Sequence, residues 1–225
     1  MTAIRLFSAR ACPFAHRTRL VLSHKQVTFE LIEIDLKSKP AWFDSRVSAY
    51  GKVPAVEHGE IRLWESAVIN EYIDEVFPKP ALLPTAAAER ALARIYIDYA
   101  NTRFAPAFGK LLRAHNASEQ SAARTELLEA LTHLEQGFAA HGANGPFFFG
   151  AEPSLVDFSI YPWLERWSGI THFRGLAISA EHSRLLRFIE AAHDLPAVRE
   201  HLNPPDYYVQ RYRAIAEPAA QAAVA

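Results

Sequence analysis

The fold is decided by a stretch near the amino terminus that reads SARACPFAHRTRLVL over residues 8–22. An apolar segment from Ile4 to Phe7, typical of a strand, precedes it, and an amphipathic helix is predicted from Pro13 to His24. Pro13 suits the first helical position, since proline lacks an N–H group. Cys12, the only cysteine of the chain, stands directly before this helix, where free backbone N–H groups favour a thiolate. An isolated cysteine is otherwise most often a small buried hydrophobic residue.

The composition is that of a globular protein without a strong charge. The chain has 225 residues, of which 50% are hydrophobic, and a net charge of −1, so it can bury one large core or two smaller ones. No overall field attracts nucleic acid or an anionic membrane, and no apolar run approaches the roughly 20 residues that span a bilayer. One cysteine cannot form an internal disulfide and the first residues lack a signal-peptide core, so we expect a cytoplasmic protein.

The first 77 residues mix strand and helix signals at short spacing. Their order is β-α-β-α-β-β-α, which predicts one compact open sheet of four strands with helices on its faces. The predicted strands cover residues 4–7, 28–35, 53–57 and 61–63, and the predicted helices cover 13–24, 40–47 and 65–76.

The rest of the chain reads as helical. A proline-rich stretch, taken here as a linker over residues 78–86, separates it from the first part. Helical spacing of apolar residues then predicts helices over 87–114, 119–140, 180–193 and 196–201. Another helix is predicted to begin after Ser154, where Asp157 follows three residues on as in a capping box. We interpret that pair as structural.

Three further features belong with Cys12. Pro54 opens a predicted strand, and a cis bond after Val53 would leave the Val53 backbone free to pair with an extended peptide, although trans is the commoner form. Glu65 and Ser66 open a predicted helix, where Ser66 and the first N–H groups suit a carboxylate and Glu65 an ammonium. Lys39 lies in a basic loop. Taken singly, the helix start is most often a cap and the lysine a solvated charge.

These features together suit glutathione, which has a thiol, a backbone that can pair like a strand, and an α-amino-acid end. The chain also resembles the cytosolic glutathione transferases, most closely the omega class and its bacterial relatives. The resemblance covers nearly the whole chain, and no single motif is specific, but five occur in order. They read CPFAxRTRLVL at 12–22, LxxKPxWF at 36–43, xVPxV at 52–56, xESA at 64–67 and SxxDxxIxPWxER at 154–166.

The resemblance implies a fold and a set of site residues. It implies a thioredoxin-like glutathione-binding domain over residues 1–77, with a four-stranded mixed sheet, and an all-helical domain over 87–225. Cys12 would be the catalytic thiol, and the bond between Val53 and Pro54 would be cis. The glutathione-binding residues would be Phe14, Lys39, Val53, Pro54, Glu65 and Ser66. Lys39 would hold the glycyl carboxylate, Val53 the cysteinyl backbone, and Glu65 with Ser66 the γ-glutamyl end.

The resemblance also implies a pocket for the second substrate and an assembly. The candidate residues for an electrophile pocket contributed by the helical domain are Tyr99, Arg103, Trp163, Arg166 and Trp167, and aromatic residues at such spacing are as often core. A homodimer is implied. The expected partners are glutathione and a small electrophile or disulfide, with no metal, nucleic acid or membrane.

A cysteine at the active position predicts thiol exchange. Relatives with tyrosine or serine there activate the thiol of glutathione itself, whereas a cysteine is a nucleophile in its own right. Ala15 stands where a dithiol motif would have its second cysteine, so a second glutathione would resolve the mixed disulfide. We therefore expect a glutathione-dependent thiol transferase or reductase acting on mixed disulfides, dehydroascorbate or thioethers. The alternatives are a conjugating transferase of broad specificity and a non-catalytic interaction protein with this fold.

Overall fold

The structure is a computed structural model that describes residues 3–48, 51–143 and 145–217, with the backbone alone at 44–46. The chain divides into two compact units. The first contains the residues up to Ala93 together with Leu195–His201, and the second contains Arg94–Asp194 and the chain from Leu202 onward. The part of the predicted helical domain from residue 218 to its end lies outside the described residues.

The first unit is built on a four-stranded mixed sheet, as expected. Its strands are β1 (Ile4–Ser8), β2 (Phe29–Glu33), β3 (Ala55–His58) and β4 (Ile61–Trp64), in the order β2-β1-β3-β4. β1 runs parallel to β2 and antiparallel to β3, which pairs antiparallel with β4. β1 and β3 are central and buried because they alone have neighbours on both sides.

Three helices accompany the sheet, namely α1 (Pro13–His24), α2 (Ala41–Arg46) and α3 (Ser66–Val76). α1 is buried at every position from Ala15 to Leu22, which is unusual for a helix with so many polar residues. It packs against β1, α3 and α10 (Pro196–His201). The Ser23 hydroxyl and His201 Nε2 are 2.8 Å apart at the α10 contact. Enclosure on several sides explains why polar α1 residues become buried.

The start of the segment predicted as a linker is ordered by one buried carboxylate. Asp74 of α3 accepts hydrogen bonds from Leu82 N at 2.9 Å and Leu83 N at 3.1 Å. It also pairs with Lys25 Nζ at 2.7 Å. Lys25 directly follows α1, so this pair joins the carboxyl ends of α1 and α3.

The second unit is helical. It contains most of the later elements, which are α4 (Ala87–Tyr99), a π-helical segment (Ala100–Phe104), α5 (Ala105–Arg113), α6 (Ala117–His141), α7 (Leu155–Glu165), α8 (Trp167–Arg174), a 3-10 turn (Ala180–His182), α9 (Ser183–Asp194) and α11 (Pro205–Ala216). The division between the units falls inside α4. The single helix predicted over 87–114 is thus divided by a π-helical segment. The sequence reading missed α8 and α11, because α8 is short and prolines open α11.

The predicted capping box of α7 is present. Ser154 Oγ accepts from Val156 N at 3.2 Å, and Asp157 accepts from Ser154 N at 2.8 Å and Ser154 Oγ at 2.6 Å. Asp157 also accepts from Phe148 N at 2.9 Å. Asp157 is buried, so this carboxylate anchors the preceding loop as well as the helix start.

Across the described ranges, no helix is long and apolar enough to cross a membrane.

Candidate functional site

Cys12 caps the start of α1 with its backbone only. Its N–H donates to Ala9 O at 2.9 Å, and its carbonyl accepts from His16 N at 3.0 Å. No side chain in the described part of the chain supplies a cap to this helix, and its first turn contains no acidic residue. Cys12 is half-buried, with Sγ 3.6 Å from Val53 O, an arrangement in which the thiol donates. The open N–H groups of the first turn therefore remain available to a thiolate or an anionic ligand.

A cleft of about 120 Å³ lies in the same unit. Sites that enclose a drug-sized ligand usually have about 300–1,000 Å³, so this cleft can hold one end of a peptide. It brings together five of the residues predicted to bind glutathione. The lining residues are Phe14, Lys52, Val53, Pro54, Trp64, Glu65 and Ser66.

Val53 lies just ahead of the sheet. β3 begins at Ala55, which pairs with Phe7 of β1 and Trp64 of β4. The peptide bond between Val53 and Pro54 is cis, which agrees with the expectation from resemblance and not with the commoner trans form.

The start of α3 forms another wall of the cleft. Glu65 is its N-cap residue with φ 71° and ψ 109°, a region that non-glycine residues avoid and that concentrates at functional sites. No side-chain cap is formed there by the residues that the structure describes. Glu65 is exposed, whereas Ser66 is 4% exposed and opens the helix. Free N–H groups beside a hydroxyl suit a carboxylate.

Arg17 is a residue of this site that the sequence analysis did not assign. It lies on α1 with no exposed surface, and its Nη1 donates to Ser66 Oγ at 3.4 Å. Its guanidinium carbon is 5.0 Å from the centroid of the Phe14 ring. Burial lowers the pKa of Arg17 to about 9, and the negative charge of Cys12 opposes that shift. An arginine on a helix is usually exposed. The only sequence signal for Arg17 was its place in the motif at 12–22, five residues after Cys12.

Lys39 lies apart from the residues that line the cleft. Its side chain is exposed, and Nζ donates to Gly51 O at 2.8 Å. Lys52 lines the cleft. The sequence analysis quoted the loop that contains Lys52 but missed this lysine, although it stands directly before Val53.

The five candidates for an electrophile pocket all belong to the second unit. Tyr99 ends α4, half-buried, with its ring centroid 4.1 Å from that of His133. Burial raises the pKa of Tyr99, and Arg103 counteracts the rise. Arg103 is exposed in the π-helical segment, a kind of insertion that is frequent at functional sites.

The other three candidates lie in the interior of that unit. Trp163, Arg166 and Trp167 are buried. Arg166 Nη1 donates to Pro162 O at 2.6 Å, and its guanidinium carbon is 4.8 Å from the centroid of Tyr208. Trp167 Nε1 donates to Leu176 O at 2.9 Å. The contact between Arg166 and Tyr208 joins the end of α7 to α11, and the other two are local.

No group of three or more histidine, cysteine, aspartate or glutamate side chains in the described ranges could hold a metal ion.

Comparisons with known proteins agree with this architecture. Residues 2–75 match the family model of the glutathione S-transferase N-terminal domain, and residues 86–203 match that of the C-terminal domain. The chain is 34% identical to glutathione S-transferase omega-2 of Rattus norvegicus over 199 residues, which are 87% of this chain and 77% of the rat protein.

Solved structures are similar over almost the full chain. Glutathione transferase Omega 3C of Trametes versicolor has a TM-score of 0.84 at 26% identity, covering 98% of this chain and 93% of the fungal one. Rice GST1, solved in complex with glutathione, has a TM-score of 0.87 at 26% identity, covering 96% and 97%. With both domain models matched and an omega-class relative above 30% identity, the chain belongs to the cytosolic glutathione S-transferase superfamily and is omega-like.

Proposed function

We propose that this chain is a glutathione-dependent thiol transferase in which Cys12 is the nucleophile. The observation that carries the proposal is a half-buried thiol at a helix start without a side-chain cap, 3.6 Å from the backbone of Val53. A thiolate is the reactive form, and the positive end of a helix stabilises it. Relatives that activate glutathione with a tyrosine or serine hydroxyl do not need a cysteine at this position, so the presence of Cys12 favours thiol exchange.

The cleft residues define how glutathione would bind. The Val53 backbone pairs with the cysteinyl unit, Glu65 receives the γ-glutamyl ammonium, and Ser66 with the first N–H groups of α3 receives the carboxylate beside it. Phe14 flanks the thiol. Lys39 remains our candidate for the glycyl carboxylate, although releasing it from Gly51 O is then part of binding.

The reaction consists of two thiol–disulfide exchanges. The Cys12 thiolate attacks the glutathionyl sulfur of a mixed disulfide, forms a disulfide with glutathione and releases the other half as a thiolate. A second glutathione, as its thiolate, attacks the glutathionyl sulfur on Cys12, giving oxidised glutathione and restoring the Cys12 thiolate. The chain has no second cysteine for an internal resolving step.

The relatives support the class of ligand. Rice GST1, 26% identical to this chain, was solved with glutathione bound, and the rat relative is an omega-class enzyme by name. Tyr99 and Arg103 are the electrophile-pocket candidates that a second substrate can reach without rearrangement, because both have exposed surface. Trp163, Arg166 and Trp167 would shape the pocket through packing. We further propose a homodimer, testable by light scattering, and a cytoplasmic location.

The test is Cys12→Ser. We expect glutathione-dependent reduction of a small mixed disulfide to fall to the uncatalysed rate, while calorimetry still detects glutathione binding, because a serine hydroxyl is a weak nucleophile without a base. Gain of conjugating activity by the same variant fits the proposal, since serine is the active residue in sister classes. Retained reductase activity would show that another group performs the exchange.

A further inference from the structure

Arg17 is a buried cation that contacts two walls of the cleft. Its guanidinium donates to the hydroxyl of Ser66 on α3 and lies 5.0 Å from the Phe14 ring on α1. A cation without exposed surface is costly to bury and is normally kept for a specific interaction. The contacts therefore connect the residue beside the thiol with the residue at the helix start.

The hydrogen bond to Ser66 has a direction that matters for binding. A serine hydroxyl has one hydrogen to donate and two lone pairs that accept. Because Arg17 occupies a lone pair of Ser66 Oγ, the hydroxyl hydrogen is left to donate elsewhere. A carboxylate at the start of α3 is an acceptor of that hydrogen, so the arginine prepares Ser66 as a donor before the ligand arrives.

The contact with Phe14 acts on the opposite wall. A guanidinium over an aromatic face is attracted by the ring quadrupole, and more strongly where water is excluded. Phe14 is 38% exposed, so its other surface is available to the ligand. The buried arginine thus restricts an otherwise exposed ring next to Cys12.

The neighbouring buried cations of the same region have different partners. Arg19 donates to Ser8 Oγ at 2.6 Å and to Ala9 O at 3.3 Å, which anchors the end of β1. Lys25 pairs with Asp74 at the other end of α1. Neither is among the residues that line the cleft. Arg17 itself does not line the cleft either, but its hydrogen-bond acceptor Ser66 does. Burial of a cation is common to all three, and Arg17 contacts two side chains that line the cleft, Ser66 and Phe14.

We propose that Arg17 is a positioning residue for glutathione: it orients the Ser66 hydroxyl toward the γ-glutamyl carboxylate and holds Phe14 beside the Cys12 thiol. The inference rests on the proposed function for the identity of the ligand. Arg17 itself has no exposed surface, so it acts through these two side chains.

The experiment measures calorimetric binding of reduced glutathione to wild type, Arg17→Lys, Ser66→Ala and the double variant. Lysine keeps the charge but lacks the planar fork that serves two partners. We expect Arg17→Lys to raise the dissociation constant about fivefold to tenfold. The double variant should lose less affinity than the sum of the two single losses, because one of the two side chains through which the arginine acts, Ser66, has already lost its hydroxyl.

The matched control is Lys25→Met. It removes another buried cation of the α1 region and should lower the melting temperature at least as much, with the dissociation constant within about twofold of wild type. A second readout is the alkylation of Cys12 by iodoacetamide without glutathione. Arg17→Met should slow it by removing the charge near the thiolate, and Arg17→Lys should restore it.

The outcomes separate the two proposals. If wild type binds glutathione and Arg17→Lys binds equally well, the inference is overturned while the proposed function stands. Additive losses in the double variant overturn a role through Ser66. If the wild-type chain does not bind glutathione at all, the proposed function fails and the inference falls with it.

Discussion

The starts of α7 and α1 differ in how their unpaired backbone N–H groups are treated: side chains cap those of α7, whereas no described side chain caps those of α1. α7 begins with a complete capping box, in which Ser154 and Asp157 pair with the first backbone N–H groups and with each other. α1 begins at Cys12, where no described side chain performs that task. Every helix start exposes unpaired donors. Side chains therefore satisfy the first N–H groups of α7, whereas among the described residues those of α1 stay open beside Cys12, the nucleophile that we propose.

The start of α3 belongs with α1 in this comparison. It too lacks a side-chain cap among the described residues, and its N-cap residue Glu65 is held at a positive φ. Uncapped helices lose about 1 kcal/mol each relative to capped ones. The cleft therefore lies between two helix starts that forgo this stabilisation, a pattern that fits anion binding.

The largest effect is expected from breaking the capped start. Asp157→Ala would leave the N–H groups of Phe148 and Ser154 without their buried acceptor, so the free energy of unfolding should fall by about 2–3 kcal/mol. The dissociation constant for glutathione should not change in the folded variant. Chemical denaturation and calorimetry measure the two quantities. Weaker binding with unchanged stability would mean that α7 is not merely structural.

The next largest effect is expected at Ser66, at the start of α3, which no described side chain caps. Ser66→Ala removes a hydroxyl that makes no side-chain cap, so the dissociation constant for glutathione should rise about tenfold, or 1.4 kcal/mol. The melting temperature should fall only modestly, through loss of the long 3.4 Å hydrogen bond from Arg17, and the rate of Cys12 alkylation without glutathione should be nearly unchanged. The opposite pattern, lower stability with intact affinity, would make Ser66 a cap and remove it from the site.

A smaller effect of opposite sign is expected at Cys12. Serine is a preferred N-cap residue whereas cysteine is not, so Cys12→Ser should raise the free energy of unfolding by about 0.5–1 kcal/mol. The same substitution should abolish the proposed reductase activity. Denaturant unfolding under reducing conditions measures the gain, with Cys12→Ala as a control that cannot cap. If both variants have the stability of wild type, the missing side-chain cap of α1 does not lower the free energy of unfolding.

The smallest effect lies at the other end of α1. Burial, aided by Arg19, lowers the pKa of His201 against the opposing influence of Glu200. The folded chain therefore binds fewer protons than the unfolded one, so this contribution is complete above the unfolded pKa of about 6.5 and declines as the pH falls. Unfolding free energies of wild type and His201→Gln, measured from pH 7.5 to 5, should converge on acidification. Parallel curves would contradict a lowered pKa.

Local signals predicted much of the molecule. Pro13 marked the start of α1 and apolar spacing its extent to His24, and Ser154 with Asp157 marked the start of α7, because caps and prolines act within a few residues. The π-helical segment at Ala100–Phe104 was beyond such reasoning. Apolar spacing does not reveal a shift of the hydrogen-bond register by one residue.

The candidate site also has a part that local motifs predicted and a part that they did not. Phe14, Val53, Pro54, Glu65 and Ser66 were predicted from motifs, and the structure brings them to one cleft. Lys39 donates to Gly51 O, and Lys52 lines the cleft. The position of a long flexible side chain depends on partners from other parts of the chain, which spacing along the sequence does not specify.

By itself, the sequence determined the mixed sheet followed by helices, the single thiol at a helix start and the family. These follow from periodicity, proline chemistry and short motifs, all of which are local. Only the tertiary structure decided that Arg17 is fully buried between Phe14 and Ser66, and that Trp163 and Trp167 are core. Burial is a property of everything that packs around a residue, and α1 is enclosed by elements that come from both ends of the chain.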